Sequence, residues 1–325
     1  MSKRRTKLRL ICAAVVLVLV LVMIYSGLRI LESTVFSQQQ QAAQPRKTIL
    51  RQDKAYFPRQ DITVILVMGI DEEGPAVSSG SYRNSGEADM VALVILDQLN
   101  ETYSVLTLNR DMMLDMPALG LGGKRAGSYF GQLALSHTYG TGLEDSCENT
   151  REAVSDFLYG ITIDYYVSMN MDAIGILNDA VGGVTVTVKD DFSEIDPTIT
   201  MGELKLTGQQ AINFIRTRKN VDDQTNISRM DRQEQYMDGF IDSFRAKQAE
   251  STEFIVSAYE DVSDYIVTNC SVNAFSGMMK RYANYELQDA VSPEGRNELG
   301  ETYYEFYADE EKLDELILML FYSPK

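Results

Sequence analysis

The stretch Asp61-Ile-Thr-Val-Ile-Leu-Val-Met-Gly69 is a nearly unbroken apolar run closed by a glycine. Such a run suits a central strand covered on both faces, where alternation is lost because neither side meets water. Met90–Leu96 repeats the pattern and Tyr103–Leu108 follows it, with Gln98-Leu-Asn-Glu101 as the hairpin between them. Helical spacing runs from about Ser146 to Leu158 and stops at Gly160, where a glycine cap is expected. Tyr165–Met169 predicts a further strand, and Met171–Val181 a helix capped by Asn170 and ended by Gly182-Gly183. Val184–Val188 alternates again. Thr207-Gly-Gln-Gln210 has the spacing of a capping box, so a short helix should start there. A longer helix is expected from near Ser228 toward Lys247, and Phe254–Phe321 should complete the domain as helices, the last of them over Leu313–Phe321. Strands alternating with helices predict an α/β fold, a single α-β-α layered domain around a mixed central β-sheet.

The N-terminus follows another rule. Leu10–Leu28 contains no charge and is bounded by Arg9 and Arg29. As a helix it would span about 28 Å, close to the hydrocarbon thickness of a bilayer. Five cations precede it and no acid does, which favours a cytoplasmic N-terminus and export of the remainder. The expected organisation is therefore a basic cytoplasmic tail (1–9), a transmembrane helix (10–28), a linker (29–57) containing four consecutive glutamines, and an extracellular domain (58–325).

Charge and composition narrow the chemistry. The net charge is −17, and because six cations lie in the first 30 residues the rest sums to −23. That acidity argues against nucleic-acid binding, which needs excess cations to displace counterions from phosphates. A single histidine, His137, excludes an HExxH zinc site, and the chain has no GxSxG elbow and no GxxxxGK[ST] loop. Three cysteines cannot build a CxxC…CxxC site. Cys147 and Cys270 would both lie outside the membrane, where a disulfide is chemically permitted, but spacing cannot say whether they meet. Chemistry must then rest on carboxylates and arginines, with a hard metal ion as a further candidate.

Two regions carry such groups. Asp71 follows the first buried strand, Arg83 and Asp89 precede the second, and Asn109-Arg110-Asp111 follows the third. Loops at strand ends of α/β sheets converge on ligands. Asp71 and Asp89 can supply two oxygens to Mg²⁺, which takes one or two carboxylates and completes its shell with water and substrate phosphate; the other reading is of loop carboxylates that cap turns or pair with Arg83. The second region is Phe214-Ile-Arg216-Thr-Arg218 followed by Arg229-Met-Asp-Arg232-Gln233. Arg216 and Arg218 share a face only if the chain leaves the helix after about Asn213, whereas Arg229, Arg232 and Gln233 share one only on a helix. Two guanidinium pairs would suit the oxygens of a diphosphate; a solvated basic face paired with Asp222, Asp223 and Asp231 fits the spacing as well.

In order along the chain, these blocks resemble the LytR-CpsA-Psr family of cell-envelope glycopolymer ligases. Ile65-Leu-Val-Met-Gly-Ile-Asp71 is similar to the family's LLLGxD segment, Glu87-Ala-Asp-Met-Val-Ala-Leu93 to SDTIML, and Leu106-Thr-Leu-Asn-Arg-Asp111 to SIPRD. Gln132–Gly140 is similar to KxNxAYxYG, and Val181-Gly-Gly-Val-Thr-Val186 to the GGVxV block. Leu206–Arg218 resembles LxGxxALxYxRxR and Arg229-Met-Asp-Arg-Gln233 resembles RxxRQ. Together the blocks cover about residues 60–245. Asn226 stands where the family usually carries an acid, Asn109 where proline is usual and Ala88 where serine is usual.

The resemblance implies a membrane-anchored phosphotransferase outside the cell. It would move a polyprenyl-diphosphate-linked glycopolymer, of the teichoic acid or capsular polysaccharide class, onto peptidoglycan through a phosphodiester. Carried over, Asp71 and Asp89 would hold Mg²⁺, with Mn²⁺ as a substitute. Arg110, Arg216, Arg218, Arg229 and Gln233 would hold the diphosphate, with Arg83 and Arg232 completing the cationic set, and the core would open a tunnel for the polyprenyl tail. Asp111 is the candidate to accept the attacking hydroxyl's proton. Two alternatives are a hydrolase of the same lipid diphosphate and a non-enzymatic lipid-carrier binder or envelope regulator.

Overall fold

A computed structural model describes residues 48–51, 54–119, 125–217, 226–251, 254–271, 281–282, 285–300 and 303–324. The expected transmembrane helix lies outside these residues. In chain order the elements are β1 (Ile49–Arg51), β2 (Lys54–Pro58), β3 (Ile62–Ile70), β4 (Ala88–Asp97), β5 (Thr102–Leu108), β6 (Met113–Leu119), β7 (Arg125–Gln132) and α1 (Glu144–Phe157). There follow β8 (Tyr165–Asn170), α2 (Asp172–Ala180), β9 (Thr185–Val188), β10 (Gly202–Lys205), α3 (Gly208–Arg216), α4 (Asn226–Glu250) and α5 (Phe254–Val262). The last are β11 (Ile266–Thr268), β12 (Glu286–Val291), β13 (Gly295–Leu299), β14 (Tyr304–Ala308), α6 (Glu310–Phe321) and β15 (Tyr322–Pro324).

The central sheet has the order β11-β8-β3-β4-β5-β12 and is mixed. β3 pairs antiparallel with β4 and parallel with β8, while β5 pairs antiparallel with β4 and parallel with β12. Successive β3 side chains point to opposite faces, so the apolar run splits between two cores. Ile65 and Val67 join Ala173, Leu177, Phe214, Phe240 and Phe244 from α2, α3 and α4 on one face. Val64, Leu66 and Met68 join Cys147, Val154, Leu313 and Ile317 from α1 and α6 on the other. The sheet is thus sandwiched between helices, as the strand–helix alternation predicts.

Several boundaries differ from the sequence expectation. Asn170 is not the cap of α2: it ends β8, and its amide donates to the Gly74 carbonyl at 2.9 Å, while Met171 occupies the cap position. Residues 49–51 and 54–57, placed in the linker, belong to the strands β1 and β2, and β2 pairs with β15 from the other end of the domain. The region after Phe254 is not wholly helical. It supplies both edge strands of the central sheet and the β13–β14 hairpin. Of these, β12 and β13 are half-exposed or exposed and carry few apolar residues, so neither period stands out. The capping box at Thr207 is present, with the Thr207 N–H donating to Gln210 Oε1 at 2.9 Å. Cys147 and Cys270 are both free thiols.

Candidate functional site

The ends of β3, β4 and β5 bring the first set of predicted residues together. The β3–β4 register pairs Gly69 with Met90 but Ile70 with Ala88, leaving Asp89 as the extra residue of a bulge. A bulge turns a side chain away from the regular pleat, and here it belongs to Asp89. The loops are tied by the Asp71 N–H, which donates to the Glu87 carbonyl at 2.9 Å.

Arg110, just beyond β5, donates through Nη1 to Asp89 and through Nη2 to Glu87 Oε2 at 2.6 Å. Its Nε lies 3.6 Å from Asp111 Oδ1. Burial works against this cation, yet Asp89, Glu87 and Asp111 together hold its pKa above the ordinary value. For Asp89 the balance works against the charged form: burial first, then the neighbouring charges of Asp71 and Glu87, outweigh Arg110 and raise its pKa. Asp111 is positioned by three bonds. Its N–H donates to Asn109 Oδ1 at 2.9 Å, its carboxylate accepts from Gln132 Nε2 at 3.2 Å, and its carbonyl accepts from the Phe306 N–H at 2.8 Å.

Arg216 is the last residue of α3, so the helix continues past Asn213, the exit on which a face shared with Arg218 depended, and turns extended at Thr217. From there Arg216 Nη2 reaches Asp71 Oδ1 at 3.0 Å and Nη1 reaches Glu73 Oε1 at 3.0 Å. Asp71, Asp89, Arg110, Asp111 and Arg216 therefore form one continuous charged constellation. Glu73 and Glu87 belong to it and escaped the sequence reading. Their signal was an acid two positions from each candidate aspartate, the spacing that shares one face of an extended segment.

The remaining candidate arginines go elsewhere or lie outside the described residues. The Arg83 guanidinium lies over the Tyr139 ring, 3.9 Å from its centroid, and the two residues form a β-bridge. Arg232 is buried: it donates to the Phe214 carbonyl at 2.9 Å, to the Thr217 carbonyl, and to Asp190. Gln233 Nε2 donates to the Ile215 carbonyl at 3.1 Å. As expected, Arg229, Arg232 and Gln233 lie on a helix, but Arg232 faces the interior rather than an open cleft. It satisfies carbonyls that the end of α3 would otherwise leave without partners. Arg218, Asp222 and Asp223 lie outside the described residues, as do the side chains of Asn226 and Arg229.

Among the described residues no three His, Cys, Asp or Glu side chains gather into a ready-made metal cage. The donor set still fits a hard cation. Asp71 and Asp89 offer only oxygen donors and lie close enough for the Asp71 charge to raise the Asp89 pKa, and two carboxylates would suffice for Mg²⁺ when phosphate and water complete its shell. The sole histidine belongs to no such site. His137 is buried, with Nδ1 2.9 Å from the Gly86 carbonyl, and burial lowers its pKa.

Comparison with known proteins adds a lineage to this geometry. The model of the LytR_cpsA_psr family matches residues 31–319. The polyisoprenyl-teichoic acid–peptidoglycan teichoic acid transferase TagV of Bacillus subtilis is 29% identical over 228 residues, 68% of this chain and 53% of that protein. The transferase of the same description, TagU of Bacillus cereus, is 29% identical over 215 residues, 66% of this chain and 61% of that protein. The matched stretch thus spans under two thirds of either relative. The crystal structure of B. subtilis TagV superimposes with a TM-score of 0.56 at 25% identity, covering 81% of this chain and 96% of that one.

Proposed function

The chain belongs to the LytR_cpsA_psr family, and from that premise we propose that it transfers a polyprenyl-diphosphate-linked glycopolymer of the teichoic acid class onto peptidoglycan. One observation carries the reading: two aspartates and two arginines from β3, β4, β5 and α3 converge as the pairs Asp89–Arg110 and Asp71–Arg216.

The reaction is a phosphoryl transfer. A peptidoglycan hydroxyl oxygen attacks the glycan-bearing phosphorus of the diphosphate. A new P–O bond forms, the bridging P–O bond to the polyprenyl phosphate breaks, and the hydroxyl proton leaves to a base. Such reactions rest on positioning and charge neutralisation more than on a protein nucleophile. Arg110 and Arg216 supply planar, permanently charged forks for the diphosphate oxygens. Asp111, fixed beside Arg110, takes the proton. Mg²⁺ held by Asp71 and Asp89 would neutralise phosphate charge when bound. The polyprenyl tail would enter the apolar layer that begins at Phe214 and Ile215, immediately before Arg216. The uncharged segment Leu10–Leu28 would anchor the domain on the outer face of the membrane, beside both substrates.

The test supplies purified chain with a polyprenyl-diphosphate glycan, Mg²⁺ and peptidoglycan. Covalent glycan–peptidoglycan product that disappears with EDTA is the expected result. Phosphate release without product, unaffected by acceptor, would establish the hydrolase instead; binding without any turnover would leave only a carrier-binding protein.

A further inference from the structure

Arg232 and Asp190 form an ion pair whose side chains are only 6% and 11% exposed. The Arg232 guanidinium also lies over the Phe192 ring, 5.4 Å from its centroid, and Phe192 stacks on Phe214 of α3 at 5.7 Å. A buried pair of this kind is a poor choice for stability alone, since well-packed apolar residues commonly do as well or better. Its donors have a specific target. Arg232 binds the carbonyls of Phe214 and Thr217, and the neighbouring Gln233 binds that of Ile215. These three carbonyls bracket Arg216.

We propose that Asp190 and Arg232 are positioning residues: Asp190 orients the Arg232 guanidinium, which pins the C-terminal carbonyls of α3 and thereby aims Arg216 at the diphosphate. Asp190 lies outside every motif in the chain, in the loop after β9. The pair acts through backbone, so neither residue touches substrate. The far end of the same helix is fixed by the Thr207–Gln210 box, leaving α3 little freedom to tilt. A displacement of about 1 Å in a group that contacts the reacting centre can cost as much as 100-fold, which makes rigid presentation of Arg216 worth a buried ion pair.

The inference rests on the diphosphate reading of the site, and one probe separates the two. Inorganic pyrophosphate with Mg²⁺ is titrated calorimetrically into the full chain in detergent, below the melting temperature of every variant. Arg232→Lys keeps the charge but loses the fork, and Asp190→Asn keeps the shape but loses the charge. Each should weaken pyrophosphate binding about tenfold or more. Each should add nothing further in an Arg216→Ala background, because the pair acts only through Arg216. A merely structural role would lower the melting temperature and leave the affinity of the folded protein unchanged, which overturns the proposal. So do losses that simply add to that of Arg216→Ala. Tighter binding by Asp190→Asn would mean that Arg232 is itself a ligand, which also overturns it. Should Arg232→Lys fail to fold, the isosteric Asp190→Asn carries the test alone. Wild-type protein that ignores pyrophosphate would instead defeat the diphosphate reading, and the positioning proposal with it.

Discussion

Arg216 and Asp71 meet at 3.0 Å although 145 residues separate them in the chain. The contact joins the end of α3 to the end of β3 and puts a guanidinium beside a candidate metal ligand. Asp89 and Arg110 repeat the arrangement one strand away. Each arginine also holds a glutamate, Glu73 or Glu87, so its aim does not depend on the aspartate alone.

Truncating either arginine should therefore strike the rate more than the fold. Arg216→Ala and Arg110→Ala each remove a donor to the charge that develops on phosphorus, and each should lower the transfer rate by roughly 10²–10³-fold. Both side chains are partly exposed, so melting temperatures should change little. Single-turnover transfer together with thermal unfolding checks both halves.

Asp111→Asn isolates the proton-accepting role. The amide keeps the size of the carboxylate and can still bond to Gln132, but it cannot take a proton. Transfer should fall by about 10²–10⁴-fold, while pyrophosphate affinity stays within about threefold of wild type because no diphosphate donor is lost. Equal losses in binding and rate would move Asp111 from base to binding residue.

The central strands and the site segments were legible in the sequence because both are local signals. The apolar run into Gly69-Ile-Asp71 marks a covered strand and a functional loop at once, and the arginine blocks stand out in an otherwise acidic domain. The residues that escaped act across long separations. Glu87 matters because β5 delivers Arg110 to it, and Asp190 because α4 delivers Arg232. Arg232 itself was legible as a cation but not as a buried one; only packing against Phe192 and the end of α3 decides that. The β6–β7 hairpin was lost for a different reason. Residues 125–130 are all exposed, so the strand carries no apolar alternation to read.

Cys147 and Cys270 should be chemically quiet. Cys147 is fully buried, its thiol donates to Ser168 Oγ at 3.3 Å, and burial pushes its pKa up to about 12. Burial pushes the Cys270 thiol up to about 12 as well. Thiolate is the reactive form, so neither residue should be modified readily at neutral pH. With iodoacetamide, Cys147 should label only on unfolding and Cys270 slowly. Mass spectrometry should find no disulfide between them, and reductant should leave the melting temperature unchanged.

Acid should weaken the hairpin that joins β4 to β5. Asp97 is buried, pairs with Arg59 at 2.6 Å, and accepts from the N–H groups of Leu99 and Asn100 and from the Asn100 side chain. Burial alone would raise its pKa, but Arg59 and the Asn100 bonds outweigh burial and hold it below the usual carboxylate range. Asp61, on the same arginine, is lowered chiefly by its hydrogen bond to Arg59. A depressed carboxylate contributes stability that is complete above its unfolded pKa, near 4, and is lost as pH falls through the folded value. Asp97→Asn leaves Arg59 short of a partner and should cost about 1–3 kcal/mol at pH 7. The gap between wild type and variant should persist down to about pH 5, narrow as pH falls through about 4, where the unfolded chain takes up the proton, and close only below the depressed folded value of Asp97. Chemical denaturation at a series of pH values measures that gap directly. A difference that stays constant to pH 3 would show that Asp97 contributes through shape and hydrogen bonding rather than through its charge.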